Sequence, residues 1–180
     1  MHVNAKRVAF GGLTLALTIL SMVLGSVIES NTLFLLAAAS YFVGIVIRET
    51  GMMTGLAFYL AAVLLGFLLA PNKLYVVSFA AMGFYILAIE FTWRWLGRRT
   101  EKPHRKVFLW TAKYVIFNLL YIPGLLFFQE LLFGRRLSPV WMVSAAVIGQ
   151  IALLIYDKAY EYVQGYLWGK LRGRLFSGSR

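Results

Sequence analysis

The sequence predicts an all-α integral membrane protein with six transmembrane helices and both termini in the cytoplasm. The composition, the number of long apolar runs and the placement of the basic residues predict it. Of the 180 residues, 61% are hydrophobic and 14% are charged, whereas a soluble domain has about 45–50% apolar and about 25% charged residues. The length favours a single integral membrane domain over residues 1–180.

Six apolar runs qualify as spans, because a transmembrane helix needs about 20 mostly apolar residues. Polar, charged or helix-breaking residues separate the runs at positions 29–31, 48–51, 71–73 and 134–139. Ser138 is a candidate N-cap for a helix that has Pro139 at its first position. The predicted spans are residues 8–28, 32–47, 52–70, 74–92, 107–128 and 140–156.

The basic residues are divided unevenly between the two sides of these spans. With the N-terminus inside, 14 of the 18 Lys and Arg lie on the cytoplasmic side and only Lys73, Arg135 and Arg136 lie outside. The positive-inside rule therefore places both termini in the cytoplasm of a multi-pass plasma membrane protein. Residues 157–180 mix Tyr and Trp with Lys and Arg, which predicts a cytoplasmic interfacial tail.

Patterns typical of catalysis, cofactors and metals are missing from the sequence. There is no cysteine, and His2 and His104 lie in basic flanks, so neither a metal site nor a cofactor is expected. A phosphate loop, HExxH and GxSxG are also missing, which argues against an enzyme. The net charge of +11 lies at the ends of the spans and not on a soluble basic domain. We therefore expect contact with membrane lipids and no binding of nucleic acid.

Small residues recur at a spacing of four, which allows helix backbones to approach closely in lipid. Gly12 and Ala16 form such a pair in the first span. Packing within the bundle explains most pairs, and docking of a partner helix is the other interpretation. The further pairs are Ser40 with Gly44, Gly51 with Gly55, Ala62 with Gly66, and Ala145 with Gly149.

Lys113 is the one basic residue inside a predicted span, about 9 Å past its start at Val107. An unpaired charge near the bilayer centre costs at least about 2.5–3.5 kcal/mol. Lys113 can extend its ammonium group to the headgroups, or it can pair with Glu90 at a similar depth in the fourth span. We treat Glu90 and Lys113 as a candidate structural ion pair, with extension to the headgroups as the alternative.

Three polar side chains are predicted near the middle of the fifth and sixth spans or slightly further out. Asn118 and Gln150 both lie near the midplane, where an amide needs a hydrogen-bond partner from a helix, water or a ligand. Tyr121 is one turn from Asn118 on the same helix face. We predict that Asn118, Tyr121 and Gln150 form a substrate-binding site, with helix–helix hydrogen bonds as the alternative.

Five short sequence patterns together resemble those of a known group of proteins. They are KRVAFGGLTLAL at the start, PNK before the fourth span, GFY within it, KYVIFN in the fifth and IYDKA at the end of the sixth. In this order they resemble an uncharacterised family of six-span membrane proteins from Gram-positive bacteria. That family is distantly similar to the S components of energy-coupling-factor (ECF) transporters.

The resemblance implies a function in uptake. S components capture a vitamin or a metal ion outside the cell, and they depend on a separate transmembrane coupling subunit and two ATPases. By this resemblance the chain is expected to bind a small molecule such as a vitamin. The pair Gly12 and Ala16 would be the face that docks on the coupling subunit.

Two features differ from the patterns that carry the resemblance. The loop at residues 29–31 is shorter than the loop that many S components use as a lid, and Ile86 and Ile89 stand where the group commonly has Pro and Lys. The architecture also resembles the small membrane subunit of bacterial rod-shape machinery. A non-catalytic membrane scaffold or cell-envelope assembly factor is therefore the alternative function, and a self-sufficient small transporter is a third.

Overall fold

A computed structural model describes residues 5–99, 102–127 and 138–171. Within these ranges every regular element is a helix. Six helices are long and apolar enough to cross a membrane, which confirms the predicted fold class. They are α1 (Ala5–Val27), α2 (Thr32–Thr50), α3 (Met52–Leu69), α4 (Lys73–Arg99), α5 (Lys102–Phe127) and α6 (Pro139–Tyr162).

Several helices are longer than the apolar runs from which they were predicted. α4 continues to Arg99, α5 starts at Lys102, and α6 passes into a π-helical stretch, Val163–Trp168, and further to Leu171. Main-chain hydrogen bonds can carry a helix past the apolar layer, so the span limits themselves stay predictions. Position 128 of the fifth span, positions 134–137 of the predicted break and positions 172–180 of the tail lie outside the described residues.

The chain divides into two compact units, Met1–Leu109 and Trp110–Arg180. In the first unit α2 is the central helix, because it packs against α1, α3 and α4 and is the most buried of the four. The apolar core of this unit is formed by Met22, Leu36, Ala39, Val43, Val46, Ile47, Phe58, Ala62 and Phe79. Helices α1, α3 and α4 also carry many exposed apolar side chains, as expected for surfaces that face lipid.

Two glycines allow α2 and α3 to pack closely across a very short turn. Gly51 alone joins the two helices and has φ 104° and ψ 167°, a backbone region essentially restricted to glycine. Its N–H donates to the carbonyl oxygen of Ile47 over 3.0 Å. A Cβ at Gly55 would collide with the Ile47 side chain. The turn therefore requires glycine at position 51, and the close packing requires it at position 55.

The second unit contains α5 from Trp110 onwards, together with α6 and its extension. Hydrogen bonds join Asn118 to Gln150 and Tyr121 to Ala145. As the residue number rises along α5, the residue number of the hydrogen-bond partner in α6 falls. The two helices are therefore antiparallel. Pro139 occupies the first turn of α6 as predicted, while the Ser138 side chain makes no capping hydrogen bond.

Candidate functional site

The pair Gly12 and Ala16 lies on an exposed face of α1. The buried residues of this helix are Thr14, Thr18, Met22 and Gly25, whereas Gly12 and Ala16 are both exposed. Residues two positions apart on an α-helix point about 200° apart. Gly12 and Ala16 each lie two positions from Thr14, so they face away from the core of the first unit.

Glycines in three of the other small-residue pairs have close neighbours. Among the described residues no heavy atom lies within 4 Å of the Cβ that an alanine would place at Gly12. A Cβ at Gly66 would lie 3.0 Å from the Met22 side chain and 3.1 Å from that of Val76. At Gly149 the Tyr121 ring occupies the position, as Ile47 does at Gly55. These three glycines allow packing within the protein, and Gly12 leaves its face open.

Lys113 is buried in the second unit and contacts two carboxylates of α6. Its Nζ lies 2.6 Å from Oδ2 of Asp157 and 3.0 Å from Oε1 of Glu161. Only 8% of Lys113 and 1% of Asp157 are exposed. The ammonium group also lies 5.0 Å from the centre of the Trp110 ring. An ion pair and a cation–π contact therefore compensate the burial of this charge.

Glu90 is buried in the first unit and pairs with Arg48. Both Nε and Nη2 of Arg48 donate to Oε1 of Glu90, at 2.8 and 2.5 Å. Nη2 of Arg94 donates to the carbonyl oxygen of Ile47 near the end of α2. The sequence suggested Glu90 as the partner of Lys113. The structure gives each of these charges a partner within its own unit, and a direct Glu90–Lys113 pair stays a prediction.

The side chains of Asn118 and Gln150 form hydrogen bonds with each other that join α5 to α6. Nε2 of Gln150 donates to Oδ1 of Asn118 over 2.8 Å, and Nδ2 of Asn118 reaches Oε1 of Gln150 at 3.5 Å. Nδ2 of Asn118 also donates to the carbonyl oxygen of Tyr114 over 2.9 Å. This helix–helix hydrogen bond is what the alternative interpretation expects. A ligand at these amides would have to replace it.

Tyr121 binds the main chain of α6 one turn further along α5. Its hydroxyl group donates to the carbonyl oxygen of Ala145 over 2.8 Å, and its ring lies against Gly149. The Phe117 ring stacks on it with a centroid distance of 5.0 Å. The structure thus places Asn118, Tyr121 and Gln150 along one helix pair as predicted. Substrate binding by them stays a prediction.

The sequence did not identify Asp157 and Glu161 as partners of Lys113, although one signal was present. If Asn118 faces Gln150 in an antiparallel pair, a residue five positions before Asn118 faces one about five to seven positions after Gln150. Lys113 is five positions before Asn118, and Asp157 is seven positions after Gln150. Asp157 follows directly after the predicted end of the sixth span. Because Asp157 lies in the predicted tail and not in a span, the sequence alone does not reveal this pairing.

The chain matches no family model, no curated protein and no solved structure. Within the residues that the structure describes, no group of three His, Cys, Asp or Glu side chains could hold a metal ion. The fold defines a multi-pass membrane protein in contact with lipid. A function has to be inferred from the exposed face of α1 and from the polar contacts of α5 and α6.

Proposed function

We propose that the chain is a substrate-binding membrane subunit, similar to the S components of energy-coupling-factor transporters, for uptake of a small molecule such as a vitamin. The open face at Gly12 and Ala16 is the observation that carries this proposal. A membrane helix with a small-residue pair on a face that none of the described residues covers can accept the backbone of a partner helix. The partner would be a transmembrane coupling subunit, with separate ATPases as the energy source.

The remaining part of the proposal is the ligand. Asn118, Gln150 and Tyr121 are polar groups in an apolar setting, which is the usual composition of a small-molecule site. Because the two amides bind each other, a ligand at this site needs both a donor and an acceptor to replace that bond without leaving a part-buried amide unpaired. An amide, lactam or similar ring of a vitamin meets this requirement.

Orientation is also part of the proposal. The asymmetry of 14 against 3 basic residues supports cytoplasmic termini, and an uptake subunit would then bind its ligand from the opposite side. Reporter fusions after Arg99 and after Arg135 test this arrangement. We expect a cytoplasmic signal at Arg99 and an external signal at Arg135, and the reverse result would contradict the topology.

Co-purification from native membranes tests the docking face. In the variant Gly12→Leu with Ala16→Leu, the added side chains should block close approach of a partner helix while the bundle stays folded and monodisperse. The control is Ala57→Leu, which repeats the change made at Ala16 at an exposed position on α3. We expect partner subunits to co-purify with the wild type and with the control, and to be lost from the double variant. Collapse of the double variant would show instead that the face packs internally.

A scaffold or cell-envelope assembly factor is the second candidate, and the mutual bond of Asn118 and Gln150 favours it. Side chains that bind each other need no ligand. Mass spectrometry of small molecules retained by the purified protein separates the two functions. A retained molecule that is lost from Asn118→Leu with Gln150→Leu supports uptake. A partner without any retained molecule supports the scaffold.

A further inference from the structure

The far end of α6 carries an exposed face of two lysines and two tyrosines. This Lys–Tyr face consists of Lys158, Tyr162, Tyr166 and Lys170, spaced four residues apart. The Lys158 side chain is 70% exposed, Tyr162 and Tyr166 are more than half exposed, and Lys170 is exposed. The two tyrosine rings stack with a centroid distance of 5.4 Å.

The local helix geometry keeps these four residues on one side. In an α-helix, residues four positions apart drift by about 40° at each step. The stretch Val163–Trp168 is π-helical, with hydrogen bonds from i to i+5 and hence a wider turn that offsets this drift. The other side of the same segment is buried at Tyr160, Gln164 and Trp168. The segment therefore has one buried and one exposed side.

The length of the helix places this face near a membrane surface. The continuous helix Pro139–Leu171 has 33 residues, or about 50 Å at 1.5 Å per residue. The hydrocarbon core is about 30 Å thick and takes about 20 residues to cross. A crossing that starts at Pro139 ends close to Lys158, so the Lys–Tyr face begins where the apolar layer ends.

We propose that the Lys–Tyr face binds the headgroups of anionic phospholipids. Tyrosine rings prefer the interface between hydrocarbon and water, and lysines next to it attract anionic lipids. From position 158 to the end, the sequence has five basic residues and one acidic residue, Glu161. Glu161 lies 3.8 Å from Lys158, but such an exposed pair is weak and leaves the lysine available to a phosphate group.

Competition between two lipids in the full-length protein tests the proposal. The protein is purified with equal amounts of phosphatidylglycerol and phosphatidylcholine, and native mass spectrometry counts the molecules of each lipid that it retains. We expect the wild type to prefer phosphatidylglycerol. Lys158→Gln with Lys170→Gln should reduce this preference by up to about fivefold for each lysine, and 1 M salt should reduce it in the wild type.

Two control variants make the result specific. Lys158→Arg with Lys170→Arg keeps the charge and should keep the preference. Lys6→Gln with Lys106→Gln removes the same charge from exposed positions outside the face and should change it little. An equal loss in this second variant would show a diffuse effect of the net charge and overturn the proposal. A wild type without any preference would also overturn it, and would leave the face to a protein partner.

The absence of cysteine allows a second measurement. A spin label on Tyr166→Cys reports the depth of this position in vesicles of the same two lipids. The proposal predicts headgroup depth, and a shift towards water when Lys158 and Lys170 are both replaced by Gln. A label that stays in water in the otherwise unchanged protein would contradict it.

Discussion

The two units of the protein fix their helices by different means. In Met1–Leu109 the core is apolar, and glycines at positions 55 and 66 let neighbouring helices come close. In the second unit, polar side chains join α5 to α6 at three successive levels, through Lys113, Asn118 and Tyr121. Lipid supplies little hydrophobic driving force between helices, so close packing and hydrogen bonds are the means that remain. The first unit combines close packing with the ion pair of Arg48 and Glu90, and the second unit uses mainly polar contacts.

One arrangement occurs in both units. Tyr59 of α3 donates to the carbonyl oxygen of Ala80 over 2.9 Å, and its ring lies against Gly83. Tyr121 of α5 makes the same two contacts with Ala145 and Gly149. In each case a glycine three or four residues after the accepting carbonyl makes room for the ring. The units share this contact, and each also has a buried carboxylate paired with a basic residue.

The largest expected effect concerns the ion pair of the second unit. Lys113→Met leaves Asp157 buried without its ammonium partner, and breaking such a pair costs about 3–5 kcal/mol. Lys113→Met with Asp157→Leu should recover most of this loss. Unfolding in detergent of the wild type, each single variant and the double variant measures these losses. Additive losses would mean that the two charges act independently and that polar contacts do not hold this unit.

Gly55 and Gly12 give a matched comparison within the first unit. Gly55→Ala should destabilise the protein by about 1–3 kcal/mol, because the added methyl group overlaps Ile47. Gly12→Ala meets none of the described residues within 4 Å and should be neutral, or stabilising by up to about 1 kcal/mol through helix propensity. Melting temperatures of both variants in one detergent check the difference in sign. A destabilising Gly12→Ala would show that this face is covered.

Substitutions in the hydrogen-bonded pair of Asn118 and Gln150 should affect stability differently from substitutions of the closely packed glycines of the first unit. Asn118→Leu alone leaves the part-buried amide of Gln150 without this partner and should cost about 1–3 kcal/mol. Replacing both residues by Leu should be nearly neutral for stability. If the double variant loses as much as the sum of the single variants, the amides have further partners and the pairwise description is wrong.

The smallest effects test the contact that both units share. Tyr59→Phe and Tyr121→Phe each remove one hydrogen bond to a carbonyl group and keep the ring over its glycine. Each should cost about 1 kcal/mol, the usual net value of one hydrogen bond. Thermal unfolding of the two variants should give similar losses. Clearly unequal losses would show that the two contacts are not equivalent.

The sequence predicts the helices well because apolar length is a local property. It predicts which polar residues need partners for the same reason, since Lys113, Asn118 and Gln150 are conspicuous in apolar runs. It does not predict partners with equal success, because pairing depends on which helices are neighbours. Asp157 stands just beyond an apolar run, and only the antiparallel arrangement of α5 and α6 brings it to Lys113.

Small residues show the same limit of sequence-based prediction. Gly12 with Ala16 and Gly51 with Gly55 have the same spacing and almost the same composition. The first pair is open and the second lies at a closely packed turn. The difference arises from the neighbours of each helix, which the spacing of small residues does not specify.

Cross-linking from a single cysteine at position 12 tests the proposed docking face most directly. The chain has no other cysteine, so Gly12→Cys gives one reactive position, and Ala57→Cys gives a matched exposed position on α3. A short thiol-reactive cross-linker is applied to native membranes, and the products are identified by mass. We expect position 12 to link to a different membrane protein and position 57 not to do so. Equal products at both positions, or no protein product at position 12, would contradict the proposed docking face.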